Sequence, residues 1–322
     1  MNPTRWGFLG AGFVASMAMG PAVHAAKDSH LEMVAARDLD RATALSPHRV
    51  SSSYDEVIGD PHVDAIYISL TNEAHEEWIA KALAAGKHVL CEKPLAVTES
   101  SAVHMIRQAK RAHLVEALWY RWHPRFERTM EIIASGLIGE IASIDSVFTF
   151  DGVPADNYRL QASRGGGAIL DVGPYTLDAS LKVLDAAARS TVDGIEISSR
   201  KILMSAGDDG VDLMAQAQLV CNGALINWSV SIASPAEQVF TVHGTRGSLS
   251  WTGAEAFTVW KSPCSLEIVV DGSVTHENFL ACDPYQLMVE QCHEVFTAHA
   301  EPFMSHADSI RLAHVLDQVI AN

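Results

Sequence analysis

The sequence is short of basic charge, of paired cysteines and of long apolar runs, and each shortage removes a class of function. Lys and Arg total 23 against 39 Asp and Glu, a formal net charge of -16. Nucleic acid and anionic membranes are held by clustered cations, so neither has an electrostatic basis here and a small-molecule partner is expected. The five cysteines, Cys91, Cys221, Cys264, Cys282 and Cys292, are scattered without C-x-x-C spacing. They read as free thiols in a reducing, cytoplasmic setting. The histidines show no metal-ligand spacing either, so no metal is expected.

No uninterrupted apolar stretch reaches membrane-spanning length. The run from Arg5 to Val23, followed by His24-Ala25-Ala26, superficially resembles a secretory signal peptide. Gly7, Gly10, Gly12 and Gly20 interrupt it. Cleavage there would also delete the motif that best explains the rest of the chain, so the segment is read as part of a folded domain.

What is present is enough apolar material for two cores: 322 residues, 48% hydrophobic. Up to about Ala117, short apolar runs alternate with amphipathic stretches, the pattern of a parallel sheet with crossover helices. Strands are expected at Arg5 to Leu9, Leu31 to Ala36, Asp64 to Leu70, Lys87 to Cys91 and Leu114 to Leu118. Helices are expected at Phe13 to Ala26, Arg41 to Leu45 and His75 to Ala85. After Pro124 the texture changes. A helix to Ser135 stops at Gly136, and strand-like runs then follow one another with turns at Asn222-Gly223 and Asp271-Gly272. These runs are Ile141 to Phe150, Leu213 to Cys221, Ala224 to Ala233, Gln238 to His243, Ser248 to Trp251, Phe257 to Trp260 and Ser265 to Val270. Helices at Tyr285 to Ala298 and His306 to Ile320 close the chain. The spacing predicts an α/β chain with a dinucleotide-binding domain at 1-120 and an α+β domain with a large, open, mostly antiparallel sheet at 121-322. No internal repeat or low-complexity tract interrupts it.

Gly10-Ala11-Gly12-Phe13-Val14-Ala15 sits between an expected strand and an expected helix, where G-x-G-x-x-A lets backbone approach a pyrophosphate at a helix N-terminus. Gly10, Gly12, Phe13 and Val14 are therefore cofactor candidates. The second strand ends Ala35-Ala36-Arg37 rather than in an acid. Ala36 leaves room for a 2'-phosphate that Arg37 and Arg41 could clamp, which favours NADP. Two other readings stay open: Asp38 as a ribose-binding acid, or Asp38 as a helix cap beside two solvated arginines.

Cys91-Glu92-Lys93-Pro94 follows at the end of an expected parallel strand, the edge at which such sheets bind ligands. A lone Lys93 would also serve as a surface cation. Further on, Gly165-Gly166-Gly167 precedes Asp171, Tyr175 and Asp178, spaced across a helix start. Here too there is a plain alternative, a structural helix with Asp171 near its positive end. Trp119, Trp122, Phe148 and Trp251 are read as core before pocket wall.

Taken together, these pieces resemble the glucose-fructose oxidoreductase / inositol dehydrogenase / MocA family across nearly the whole chain. The resemblance rests on the Gly10-Ala11-Gly12 turn, Asn72 with His75, Glu92-Lys93-Pro94, Arg121 with Pro124, and Gly165 to Asp178. Ala35-Ala36-Arg37-Asp38, Arg41, Glu116-Ala117-Leu118-Trp119 and Tyr175 are most similar to its NADP-dependent dimeric dihydrodiol dehydrogenase and D-xylose dehydrogenase branch. Leu70-Thr71 departs from the family's Thr-Pro.

The resemblance implies a Rossmann domain and hydride transfer between NADP and a carbinol or carbonyl carbon of a sugar, polyol or dihydrodiol. It implies Tyr175 as acid/base, Lys93 as the residue that tunes it and binds the substrate oxygen, and Asp171 as the group that orients the pair or a second hydroxyl. Arg159 joins Lys93, Asp171 and Tyr175 as a substrate contact. Asn72, His75, Glu92, Lys93 and Arg121 join the cofactor set. A homodimer or dimer of dimers through the C-terminal sheet is expected. The alternatives are a keto-sugar reductase of the same family and a noncatalytic NADP-binding or sugar-sensing protein, since fold alone does not establish activity.

Overall fold

A computed structural model describes residues 2-192, 194-298 and 300-321. The chain groups into two compact units. One holds residues up to Trp122 together with Asp283–Ala313, the other His123–Cys282 with the segment from His314. Asp283–Ala313, which lies within the expected 121-322, groups with the first unit.

The first unit runs β1 (Thr4–Leu9), α1 (Gly20–Ala25), β2 (Ser29–Ala35), α2 (Leu39–Ala44), β3 (Arg49–Ser51), α3 (Tyr54–Gly59), β4 (Ala65–Ile68), α4 (His75–Ala84), β5 (His88–Glu92), α5 (Glu99–Gln108) and β6 (Leu114–Ala117). All neighbouring strands pair in parallel, in the order β3-β2-β1-β4-β5-β6. A parallel sheet is covered on both faces, and β4 is accordingly buried at every position. Leu9, Met33, Ile66, Ile68, Val89 and Leu114 pack there with Ile79 and Met105. The strand order reverses between β1 and β4, the switch point at which open sheets of this kind receive ligands.

The second unit contains α6 (Pro124–Ser135), β7 (Ile141–Thr149), α7 (Ala168–Asp171), α8 (Gly173–Ala188), β8 (Glu196–Met204), β9 (Asp212–Cys221), β10 (Ala224–Ser231), β11 (Glu237–Gly244), β12 (Gly247–Thr252), β13 (Cys264–Val270) and β14 (Ser273–Phe279). Its eight strands lie in the order β14-β13-β12-β11-β7-β10-β9-β8. Among the described residues, only β7 and β10 pair in parallel in this sheet. Residues alternate across this sheet: Ile144, Ser146 and Phe148 are buried, as are Ile226, Trp228 and Val230. α8 is pinned to that face, where Ser146 Oγ donates to Thr176 O at 3.0 Å and Trp228 Nε1 donates to Thr176 Oγ1 at 2.6 Å. The opposite face is polar and more open, with Asp145, Gln216, Gln218 and Asn227. Two further helices, α9 (Pro284–Ala298) and α10 (His306–Ala321), close the chain.

The expected strand at Phe257 to Trp260 is a turn. Its backbone bonds are taken by a side chain instead, since Gln238 Oε1 accepts from Phe257 N and Thr258 N. Phe257 then fills the core as a loop residue, stacked 5.9 Å from Phe148. The hairpin signals behave as expected: Asn222-Gly223 and Asp271-Gly272 all take positive φ. Among the described residues, no helix is long and apolar enough to cross a membrane.

Candidate active site

The glycine turn follows β1 at the switch point. Gly10 takes φ +99°, and a Cβ there would stand 2.5 Å from the Ser69 carbonyl oxygen, so glycine is required by the protein itself. Gly12 differs. A Cβ there would meet nothing closer than Ser69 Oγ at 3.6 Å, an ordinary contact. Phe13 is 77% exposed and Val14 half-buried, and the chain makes a π-helical turn at Ala15–Met19 before α1 begins.

At the end of β2, Ala36 is buried, while Arg37 and Arg41 are exposed. Asp38 caps α2, its Oδ1 accepting from Asp40 N and Arg41 N at 3.1 Å each. The cap is made through Oδ1 alone.

Two corners lie at the C-terminal ends of β4 and β5. Asn72 is buried at the first, just before α4. His75 is fully buried, and its Nδ1–H donates to Pro94 O at 2.9 Å. Burial lowers its pKa, which keeps the imidazole neutral. It ties the loop after β4 to the Lys93-Pro94 corner, whose peptide is cis. Glu92 is buried and accepts from Tyr67 Oη at 2.7 Å. Glu116, on β6, is also buried and accepts from Leu95 N at 2.9 Å. Burial, then the charges of Glu92 and Glu116, pushes the Cys91 thiol up, so it is an inert core group. Lys93 is half-buried.

Arg121, expected near the cofactor, is placed in the interior of the first unit. Its side chain is 1% exposed, and Nη1 donates to Asp308 Oδ2 at 2.9 Å and to Phe303 O at 2.6 Å. Trp119 stacks on Tyr285 with centroids 4.6 Å apart, and Trp122 Nε1 donates to Gln291.

In the second unit the structure brings Arg159, Asp171 and Tyr175 together. Arg159 Nε donates to Asp171 Oδ2 at 2.7 Å, with Asp171 buried. Burial pulls the Arg159 pKa down, but the charge of Asp171 and the nearby Tyr158 and Tyr175 more than offset it and hold the guanidinium above its ordinary value. Tyr175 sits in the first turn of α8, packed against Phe148 at 5.7 Å, and Asp178 is buried one turn further on. Trp251 is core, donating to Thr129 Oγ1 at 2.9 Å.

The glycine run before α7 is shaped by contacts that the sequence does not announce. A Cβ at Gly166 would lie 2.6 Å from Arg159 O, and at Gly167, with φ +108°, 2.0 Å from Asp212 Oδ1. Asp212 Oδ2 accepts from Ile169 N at 2.7 Å, and Gly167 N donates to Arg159 O at 2.9 Å. Desolvation raises the Asp212 pKa to about 6 despite these backbone donors. Asp212 thus joins β9 to the start of α7, which carries Asp171. No local motif marks it, since its partners lie more than forty positions away. Tyr67, inside the wholly apolar strand β4, carries no such signal, whereas Glu116, quoted with Ala117-Leu118-Trp119, stands out as a charged residue inside the apolar Leu114–Ala117 strand.

The first unit is doubly wound, with a glycine turn at its switch point, and the second carries an open sheet and an Arg159-Asp171-Tyr175 cluster. The chain belongs to the GFO/IDH/MocA oxidoreductase family. Residues 4-119 match the model described as oxidoreductase family, NAD-binding Rossmann fold, and residues 126-250 match the GFO/IDH/MocA C-terminal domain. It is 31% identical over 325 residues to D-xylose 1-dehydrogenase (NADP(+)) 2 from Haloferax volcanii, with 98% of this chain and 95% of that one covered. It is 27% identical over 343 residues to trans-1,2-dihydrobenzene-1,2-diol dehydrogenase from Xenopus laevis, covering 98% and 97%. The structure of a 3-ketoreductase from Actinomadura kijaniata in complex with NADP and TDP-benzene superposes with a TM-score of 0.89 at 26% identity, covering 99% and 97%.

Proposed function

We propose that the chain is an NADP-dependent oxidoreductase that moves a hydride between the nicotinamide and a carbinol or carbonyl carbon of a sugar, polyol or dihydrodiol. The observation that carries this reading is the contrast inside the switch-point turn. Gly10 is demanded by neighbouring protein atoms, whereas Gly12 has room for a side chain it does not carry. Space kept clear of protein at that point suits a pyrophosphate approaching the backbone. Gly10, Gly12, Phe13, Val14 and Asn72 would hold the dinucleotide. With Asp38 engaged as a cap, Arg37 and Arg41 are left to take a 2'-phosphate, and the D-xylose dehydrogenase and 3-ketoreductase relatives are named with NADP. Glu92 and His75 act from the interior, holding the corner on which Lys93 stands.

The nicotinamide, when bound, supplies the hydride chemistry. The protein's own task is to hold the substrate hydroxyl and move one proton. Tyr175 Oη takes that proton in oxidation and returns it in reduction. A free tyrosine, with a pKa of about 10, needs a neighbouring cation for this at neutral pH. Lys93 is assigned that role, together with contact to the substrate oxygen. Arg159 is a second cation near Tyr175. Asp171, fixed by Arg159, orients a substrate hydroxyl. The ketoreductase relative works in the reductive direction by its name, so keto sugars belong in the substrate panel.

Two finer assignments go with this. The polar open face of the second sheet is proposed as a homodimer surface, tested by light scattering. A cytoplasmic setting is proposed from five free cysteines, four of them buried. For the central reading, the test is NADPH and NADH binding, followed by turnover on aldoses, trans-diols and keto sugars. Tyr175→Phe and Lys93→Met should each lower kcat by at least about a hundredfold while leaving NADPH affinity intact. Arg37→Ala should weaken NADPH about tenfold and NADH little. Full turnover in both catalytic variants would end the proposed proton path.

A further inference from the structure

We propose that His30, Glu32 and His48 form a binding site for a zinc-class divalent cation at the edge of the parallel sheet. This is independent of the redox reading, and it departs from the expectation from spacing alone that no metal is bound. His30 and Glu32 are two apart on β2 and so project from one face of the strand. His48 is far away in sequence. It is delivered by the entry into the edge strand β3, where His48 N donates to Leu31 O at 3.1 Å.

The three side chains converge on one carboxylate oxygen. His30 Nε2 stands 3.2 Å from Glu32 Oε2, and His48 Nδ1 stands 4.0 Å from the same atom. One ligand atom from each residue lies within 4.8 Å of the other two. A tetrahedral ion with bonds of about 2.0 Å holds its ligand atoms about 3.3 Å apart. The His30-Glu32 edge already has that length, and His48, whose side chain is 71% exposed, is free to close the rest.

Glu32 is prepared for the task. Its Oε1 accepts from Arg49 Nη2 at 2.7 Å and Nε at 3.1 Å, which leaves Oε2 for the imidazoles. Arg49 also pairs with Asp60 at 2.5 Å, so its guanidinium is shared between two carboxylates and holds Glu32 in place. Two imidazoles and one carboxylate suit Zn2+, with Ni2+ and Cu2+ able to compete. Mg2+ and Ca2+ prefer all-oxygen shells. Three protein ligands leave a fourth position for water. Bound there, the ion clips the three-residue edge strand to β2 and stabilises the sheet at the end opposite the glycine turn.

Titration calorimetry of chelator-stripped full-length protein with ZnCl2 and MgCl2 tests this. One equivalent of Zn2+ should bind with a micromolar or lower Kd, and Mg2+ should not bind. Zinc at a hundredfold excess over Kd should raise the thermal midpoint by about 5 °C. His30→Ala and His48→Ala, both at exposed positions, should each weaken Zn2+ at least about tenfold and remove the thermal shift. His48→Gln serves as a second variant, with circular dichroism as the folding control. In the wild type, Co2+ should give a visible tetrahedral absorption that these variants lack. Zinc binding of equal strength in wild type and variants, or no stoichiometric binding in the micromolar range, overturns the proposal.

Discussion

The chain's two glycine-rich segments look alike on paper and are opposite in space. At Gly10-Ala11-Gly12, the first glycine is crowded by Ser69 and the second meets Ser69 only at ordinary contact distance. At Gly165-Gly166-Gly167, the last two glycines are filled by the protein's own atoms: the Tyr158 and Arg159 carbonyls and the Asp212 carboxylate. The first turn tolerates a methyl group at Gly12, and in the proposed function that room serves a dinucleotide. The second lets one stretch of chain press against another, and the product of that contact is the position of Arg159, Asp171 and Tyr175. A glycine run therefore carries no functional meaning until the atom it makes room for is known.

The sharpest way to break this contrast is Gly167→Ala. The methyl group would collide with a carboxylate at 2.0 Å from a backbone at φ +108°. Strain and displacement of Asp212 together should lower unfolding stability by about 4 kcal/mol, read from the denaturant midpoint. An unchanged midpoint would mean that this loop does not hold the cluster.

Asp212→Asn gives a smaller effect with a sign that can be worked out. The Asp212 pKa is raised from 3.8 to about 6 in the folded chain, chiefly by desolvation, against the Ile169, Asp212 and Ala168 amides. The folded state then binds this proton more tightly than the unfolded state. The contribution of Asp212 to stability is fully present below about pH 4 and declines as pH rises through 6. Across that window the wild type should lose about 2 kcal/mol from this group, and Asp212→Asn should lose none of it. Parallel pH-stability curves for the two proteins would remove the assignment.

How much of this was legible depended on how far apart in sequence the partners lie. The glycine turn, the Glu92-Lys93-Pro94 corner and the Asp171 to Tyr175 spacing are local signals, and they were readable. Pro124–Ser135 was readable too, from its proline start and its Gly136 stop in the left-handed region. Asp212, the Arg159-Asp171 pair and the His48 approach to β2 are made by tertiary contact, and no spacing encodes them. The return of Asp283–Ala313 to the first unit is a choice of neighbour rather than of helix, and periodicity is silent on neighbours. α5 escaped because it buries only a thin stripe, Ala102 and Met105, and β8 because its face is largely polar and exposed. Phe257–Val259 misled in the other direction: apolar residues there plug a core from a turn whose amides are satisfied by Gln238.

The contrast is sharpened most by the change expected to do least to the fold. Gly12→Ala adds a methyl group whose nearest neighbour is Ser69 Oγ at 3.6 Å, at a position without positive φ. Its unfolding stability should stay within about 0.5 kcal/mol of the wild type. NADPH affinity should nevertheless fall about tenfold, because the methyl group occupies the line along which a pyrophosphate would reach the backbone amides. The two measurements separate the explanations. A loss of stability without a loss of affinity would make Gly12 a packing residue like Gly167, and the two glycine segments would then be alike after all.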